Sequence, residues 1–203
     1  MLQLTLSTYN AVLDVFQFSG KRGAADAAVD LVFTMLKSSD KDIRPTTQTF
    51  NLVVSACRKT RKWRQVLQMI NIMDKHKISI DTGTFNEVLI ACSKNQPLAV
   101  VTKQYDNMRK RSIQPNLITY NTVMSAYVKA GRSKEALQLF DKIKFEPTII
   151  PDIVTYTTAM RAYIRNQKIG KALMLFETMQ DKGMHIDVYA YACAIDACAK
   201  GNK

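Results

Sequence analysis

Asparagine directly follows an aromatic residue at four places: Asn10 after Tyr9, Asn51 after Phe50, Asn86 after Phe85 and Asn121 after Tyr120. Thr157 takes that place after Tyr156. Asparagine is a poor helix former, so its return to one slot asks for a reason other than helicity. An amide carries both a donor and an acceptor, which suits it to the edge of a single exposed base. Two helical turns further on, in the same register, stands a cation: Lys59, Lys94, Lys129, Arg165 and, after Ala192, Lys200. A cation there suits a phosphate. A second polar set, Thr46, Asp81, Asn116, Asp152 and Asp187, lies four residues ahead of the next aromatic. These types are favoured helix N-caps, and on spacing alone capping and base contact stand equally open.

The elements that must position these groups are short amphipathic helices. In 117–152, Tyr120, Val123, Met124 and Tyr127 follow the i, i+3, i+4, i+7 spacing of one apolar face, and Ala136, Leu137, Phe140 and Ile143 repeat it after a turn at Gly131 and Arg132. Pro147 and Pro151 end the second helix. The first aromatic recurs at Tyr9, Phe50, Phe85, Tyr120, Tyr156 and Tyr191, in steps of 41, 35, 35, 36 and 35 residues. A fixed period in the thirties predicts helical pairs that bury their apolar sides only on neighbouring pairs. The units fall at about 6–46, 47–81, 82–116, 117–152 and 153–187, with a partial unit at 188–203. The extra length of unit one divides equally between its helix turn near Gly20 and the loop before Thr46. The polar row lies opposite the apolar face of each first helix, so stacking aligns it into one track. Unit five continues the row with Thr157, Arg161 and Arg165, and unit one departs from it with Asn10, Asp14 and Phe18.

The chain has 203 residues, a net charge of +12 and a pI of about 9.6, a balance that favours a polyanionic partner, nucleic acid before a membrane surface. No run of eighteen apolar residues marks a membrane span. No signal-like segment precedes unit one, so any targeting peptide would lie upstream, and with only a partial sixth unit the chain is read as a fragment of a longer protein. Cys57, Cys92 and Cys198 share one slot of the repeat, filled elsewhere by Tyr127 and Tyr163, which predicts buried packing residues rather than disulfide or metal ligands. Trp63, in the basic run RKTRKWR, shares its slot with Leu98 and Ile169 and is expected to pack. His76 and His185 fall in loops without spaced partners, and no phosphate loop or nucleophile elbow is present, so neither metal, cofactor nor catalysis is expected.

On ITYNTVMSAYVKAGRSKEALQLF with its trailing PD, and on IVTYTTAMRAYIRNQKIGKALMLFETMQDKGMHID, the chain resembles pentatricopeptide repeat proteins of the plain, P-type branch. The resemblance implies an all-α, right-handed α-solenoid of helix-turn-helix repeats. It also implies binding of single-stranded RNA at one base per repeat, the base chosen by the residue after the aromatic together with the residue closing the unit. Carried over, Asn51 with Asp81 and Asn121 with Asp152 imply uracil, Asn86 with Asn116 a pyrimidine with cytosine favoured, Thr157 with Asp187 guanine, and Asn10 with Thr46 a pyrimidine. The implied preference, with N-terminal repeats toward the 5′ end, is pyrimidine, U, C or U, U, G. Ile118 and Val154 fit the family's base-clamping position; Ser7, Gln48 and Gly83 depart from it. The family is mostly organellar, which implies a mitochondrion or chloroplast and a role in RNA processing, stability, splicing or translation. Two other readings stay open: a protein-binding helical scaffold, and the RNA-binding arm of a larger RNA-processing enzyme.

Overall fold

The computed structural model of the chain describes residues 5–21 and 23–201. Among these are eleven α-helices, one 3-10 turn at Lys41–Ile43 and no strand. First helices, each carrying a recurring aromatic, are α1 (Leu6–Ser19), α3 (Thr47–Lys59), α5 (Thr82–Asn95), α7 (Leu117–Lys129), α9 (Ile153–Arg165) and α11 (Val188–Gly201). Second helices are α2 (Ala24–Lys37), α4 (Trp63–Lys75), α6 (Leu98–Lys110), α8 (Ser133–Phe145) and α10 (Ile169–Asp181). Three-residue turns join α3 to α4, α7 to α8 and α9 to α10, and each contains one left-handed residue: Arg61 at φ 61°, Gly131 at 77° and Gln167 at 57°. Glycine enters that region without the steric cost that arginine and glutamine meet there.

The chain divides into two compact units, residues 1–96 with 106–114 and residues 97–105 with 115–203. In the first, α1 packs on α2 and α3, and α3 on α4 and α5. In the second, α7 packs on α8 and α9, and α9 on α10 and α11. Both units thus have the local arrangement of an all-α solenoid: helical hairpins stacked first helix on first helix. The core follows from the helical spacing. Phe50, Val53 and Val54 of α3 meet no solvent, nor do Val66, Met69 and Met73 of α4, and Tyr120, Val123, Met124, Ala136, Phe140 and Ile143 are buried in the second unit. Burying each large side chain contributes about 1.5–3 kcal/mol. The Phe140 and Tyr156 rings meet edge to face with centroids 5.8 Å apart, an aromatic contact between successive repeats.

Charged and polar ties repeat along the first unit. Arg111 forks onto Asp74 at 2.5 and 2.6 Å, Arg58 pairs with Glu87, and Lys62 with Gln65 holds Asp26. The fork of Arg111 holds the Asp74 carboxyl below its ordinary range.

Three expectations need correction. The insertion in unit one is not equally shared: α1 and α2 each gain one residue, at 14 against 13 in α3 and α4, one residue enlarges the turn between them, and three enter the loop that forms the 3-10 turn. Cys198 is exposed, although Cys57 and Cys92 are buried as the shared slot predicts. Trp63 opens α4 half-buried, with the Arg64 guanidinium 5.4 Å from its ring centroid, because its slot lies at the helix end rather than on the apolar stripe.

Candidate functional site

The closing residues are helix caps. Thr46, Asp81, Asn116 and Asp152 stand in extended backbone ahead of α3, α5, α7 and α9, and each side chain accepts the backbone N–H three residues on, from Thr49, Thr84, Thr119 and Thr155. Asp187 accepts from the Ala190 N–H at 2.8 Å. Capping satisfies one of the free amides at a helix start and places a carboxylate against the positive end of the helix dipole.

The residues after the aromatics are joined to these caps across the repeat boundary. Asn121 Oδ1 accepts from the Thr155 hydroxyl at 2.8 Å, and Asn121 Nδ2 donates to Asp152 Oδ1 at 3.0 Å. Asn51 Oδ1 accepts from the Thr84 hydroxyl at 2.6 Å, and Asn10 Oδ1 from the Thr49 hydroxyl at 2.9 Å. This inter-repeat bond is a structural reason for asparagine in the row that sequence reasoning did not weigh. It leaves work for the other half of each group. In the pairs Asn51 with Asp81 and Asn121 with Asp152, these bonds engage the amide oxygen and carboxylate Oδ1. An amide N–H and carboxylate Oδ2 remain without a partner among the described residues.

The other members of the row differ. Asn86 is 6% exposed, deeper than the half-buried Asn10, Asn51 and Asn121. Thr157 gives its hydroxyl proton to its own helix, 2.8 Å from the Ile153 carbonyl and 3.2 Å from that of Val154. It offers an acceptor where asparagine offers a donor. Ile118 and Val154 stand 53% and 49% exposed, an unusual state for β-branched apolar side chains and one that leaves their faces open for stacking. Ser7, Gln48 and Gly83, in the same register, are also exposed.

Thr157 and Asp187 line a cavity of about 520 Å³ walled by Val154 and Tyr189, with Arg161 and Cys193 also facing it. Its volume suits a small organic ligand. Tyr189, 78% exposed, lies two residues before Tyr191, the register of Ile118 and Val154. Sequence reasoning passed over it, although the spacing that selected Ile118 and Val154 selects it too.

The five cations of the row are exposed, and they divide by what already holds them. Lys59 sits 4.6 Å from the centroid of Phe18, which explains the aromatic in the row of unit one. Arg165 donates to the Val128 carbonyl, and Lys200 pairs with Asp196 at 2.7 Å. Arg165 and Lys200 also face one cavity of about 440 Å³. Lys94 and Lys129 make no ion pair or hydrogen bond among the described residues.

Among the described residues no cluster of three or more His, Cys, Asp or Glu has metal-site geometry, and no helix is long and apolar enough to cross a membrane. Burial pushes the Cys57 thiol up to about 12 and that of Cys92 to about 11.

No curated protein matches the chain in sequence. Solved structures with the same fold include the pentatricopeptide repeat protein PPR10 from maize, 21% identical with a TM-score of 0.68 over 99% of this chain and 32% of that one. PPR10 in complex with an 18-nt psaJ RNA element is 22% identical, with a TM-score of 0.63 over 94% of this chain and 32% of that one. The PPR domain of Arabidopsis thaliana protein-only RNase P 1, in complex with tRNA, is 14% identical, with a TM-score of 0.74 over 92% of this chain and 95% of that one. The chain thus spans about a third of the length of PPR10. Three sequence models cover nearly all of it: a pentatricopeptide repeat-containing protein model at residues 10–98, the pentatricopeptide repeat domain at 68–130 and 103–166, and the PPR repeat family at 151–200. With these models together spanning residues 10–200, the chain belongs to the pentatricopeptide repeat family.

Proposed function

We propose that the chain binds single-stranded RNA with one unpaired base per repeat, and acts by occupying RNA rather than by chemistry of its own. One observation carries this reading: in units two and four the inter-repeat bonds leave one N–H and one carboxylate oxygen as a pair. Uracil presents the complement, an N3–H donor beside carbonyl acceptors, so Asn51 with Asp81 and Asn121 with Asp152 read uracil. Asn86 with Asn116 reads cytosine or uracil, and Asn10 with Thr46 a pyrimidine. Thr157, an acceptor, stands with the Asp187 carboxylate in the walled cavity and reads guanine, whose N1–H and N2–H are adjacent donors. Ile118, Val154 and Tyr189 provide stacking faces, and Lys59, Lys94, Lys129, Arg165 and Lys200 lie along the phosphates. That PPR10 holds an RNA element and the RNase P domain holds tRNA supports the reading.

The role that follows is recognition of a transcript, in a mitochondrion or chloroplast, for its processing, stability, splicing or translation. The likeness to the RNase P domain over 95% of that structure favours a second form of the same reading, in which the chain is the RNA-binding arm of a longer RNA-processing enzyme. Selection from a randomised RNA pool with the recombinant chain tests the base reading. Enrichment of 5′-Y-U-C/U-U-G-3′ is the expected result, and a pool that stays random in sequence would refute it.

A further inference from the structure

The threonine that follows each cap by three residues does two things at once. It completes the start of its own helix, and its hydroxyl reaches back to the asparagine of the preceding repeat. Thr49, Thr84 and Thr155 are fully buried and lie 2.9, 2.6 and 2.8 Å from the amide oxygens of Asn10, Asn51 and Asn121. A primary amide has two ends of nearly equal size and opposite hydrogen-bonding character, and only its partners decide which end faces outward. Each hydroxyl has a single proton, and those of Thr84 and Thr155 also lie 2.8 Å from Oδ1 of the Asp81 and Asp152 caps; directed to the asparagine, that proton holds the amide oxygen there and turns the NH2 to the other side.

The sequence carries an internal control. All four asparagines of the row are followed in the next repeat by threonine at this position: Thr49, Thr84, Thr119 and Thr155. Thr157 of the row is followed by Ala190, which is equally buried but has no hydroxyl. Thr157 needs no such partner, since its proton is already directed to the carbonyl of Ile153. The helix cap does not require the threonine either, because Asp187 caps α11 through the Ala190 backbone. Threonine serves the helix start as well, in the capping boxes of α3, α7 and α9, but the bond from cap side chain to backbone forms without it at Asp187.

We propose that Thr49, Thr84 and Thr155 are positioning residues that fix the amide orientation of Asn10, Asn51 and Asn121, and so decide that these repeats offer a donor to the base. This rests on the RNA reading above and adds to it the device that sets selectivity: a base choice made by two residues is held in place by a third. With the hydroxyl removed, the Asn51 amide can present its oxygen beside the Asp81 carboxylate, a pattern that no longer favours uracil.

The test uses short single-stranded RNAs with a UUCUG core, in which the second base, facing unit two, is U or C. The wild-type chain should prefer U at that position. Thr84→Val should reduce the preference by roughly tenfold, the value of a lost base-edge contact, and Thr84→Ser should restore it. If Thr84→Val lowers the melting temperature and weakens both RNAs equally, the threonine is only structural and the proposal fails. If the wild type itself has no preference, the base reading fails, which is a different outcome. A gain-of-function pair guards against misfolding of Thr84→Val. At the last base, Thr157→Asn with Ala190→Thr should switch the preference from G to U, whereas Thr157→Asn alone should give little preference for U. A full switch from Thr157→Asn alone would overturn the proposal.

Discussion

The first and second helices of each repeat begin differently. Every described start among α1, α3, α5, α7 and α9 is capped by a side chain, from Thr5, Thr46, Asp81, Asn116 and Asp152, in extended backbone. None of α2, α4, α8 and α10 has a side-chain cap, and the last three open on Lys62, Arg132 and Lys168. The reason lies in the approach. A first helix is entered from a loop with room for a side chain to fold back on the helix start. A second helix is entered from a three-residue turn whose left-handed residue commits the backbone. The difference teaches a division of labour: both helices of a repeat supply packing, while the first helices also carry a side-chain cap at their start.

This division can be broken from either side. The largest effect belongs to the packing: Phe140→Ala, removing a side chain 1% exposed that meets Tyr156, should destabilise the chain by about 3–5 kcal/mol in chemical denaturation. RNA base preference under folded conditions should stay as it was. On the polar side, Asn121→Ala removes two inter-repeat hydrogen bonds and should cost about 1–3 kcal/mol of stability, together with about 1–3 kcal/mol of discrimination at the base facing unit four, measured by titration with U, C, A and G variants. An unchanged preference there would reduce the asparagine to a tie between repeats.

Asp152→Ala removes cap and reader together and should cost about 0.5–2 kcal/mol of stability along with the uracil preference, while Lys168→Ala, at an uncapped second helix, should do neither. Lys129 contributes charge without base identity. Lys129→Ala should weaken all RNAs alike and make the slope of log affinity against log salt shallower by about 0.7, from roughly −3 for the wild type. The smallest effect is chemical. Burial raises the Cys57 thiol from an ordinary 9.0 to about 12, so the folded state disfavours its thiolate. The resulting stability is complete below pH 9.0 and is lost as pH rises toward about 12. Thiol alkylation of the native chain should label exposed Cys198 first and leave Cys57 and Cys92 protected until unfolding.

Much of this was legible before any coordinates. The spacing of Tyr120, Val123 and Met124 on one helix and Ala136, Phe140 and Ile143 on the next identified side chains that are in fact buried. Threonine, aspartate and asparagine ahead of each first helix left capping and base contact equally open on spacing, and the structure has them capping. Other features were not legible, because they depend on a neighbour some thirty-three or more residues away. The bond from Thr84 to Asn51 joins side chains that look unrelated along the chain. Tyr189 reads as one aromatic in an aromatic run until the cavity opposite Val154 is seen. Cys198 shares its slot with buried cysteines, yet exposure follows from what packs on α11, which a slot cannot reveal.

The sequence by itself determined the repeat, the two helices of each unit and the identity of the polar row, because helical period, capping chemistry and turn residues act over a few positions. Only the tertiary structure decided which half of each amide and carboxylate is engaged by the protein. Hydrogen bonds between repeats are set by stacking, and the orientation of an amide is a property of its partners rather than of its own residue type.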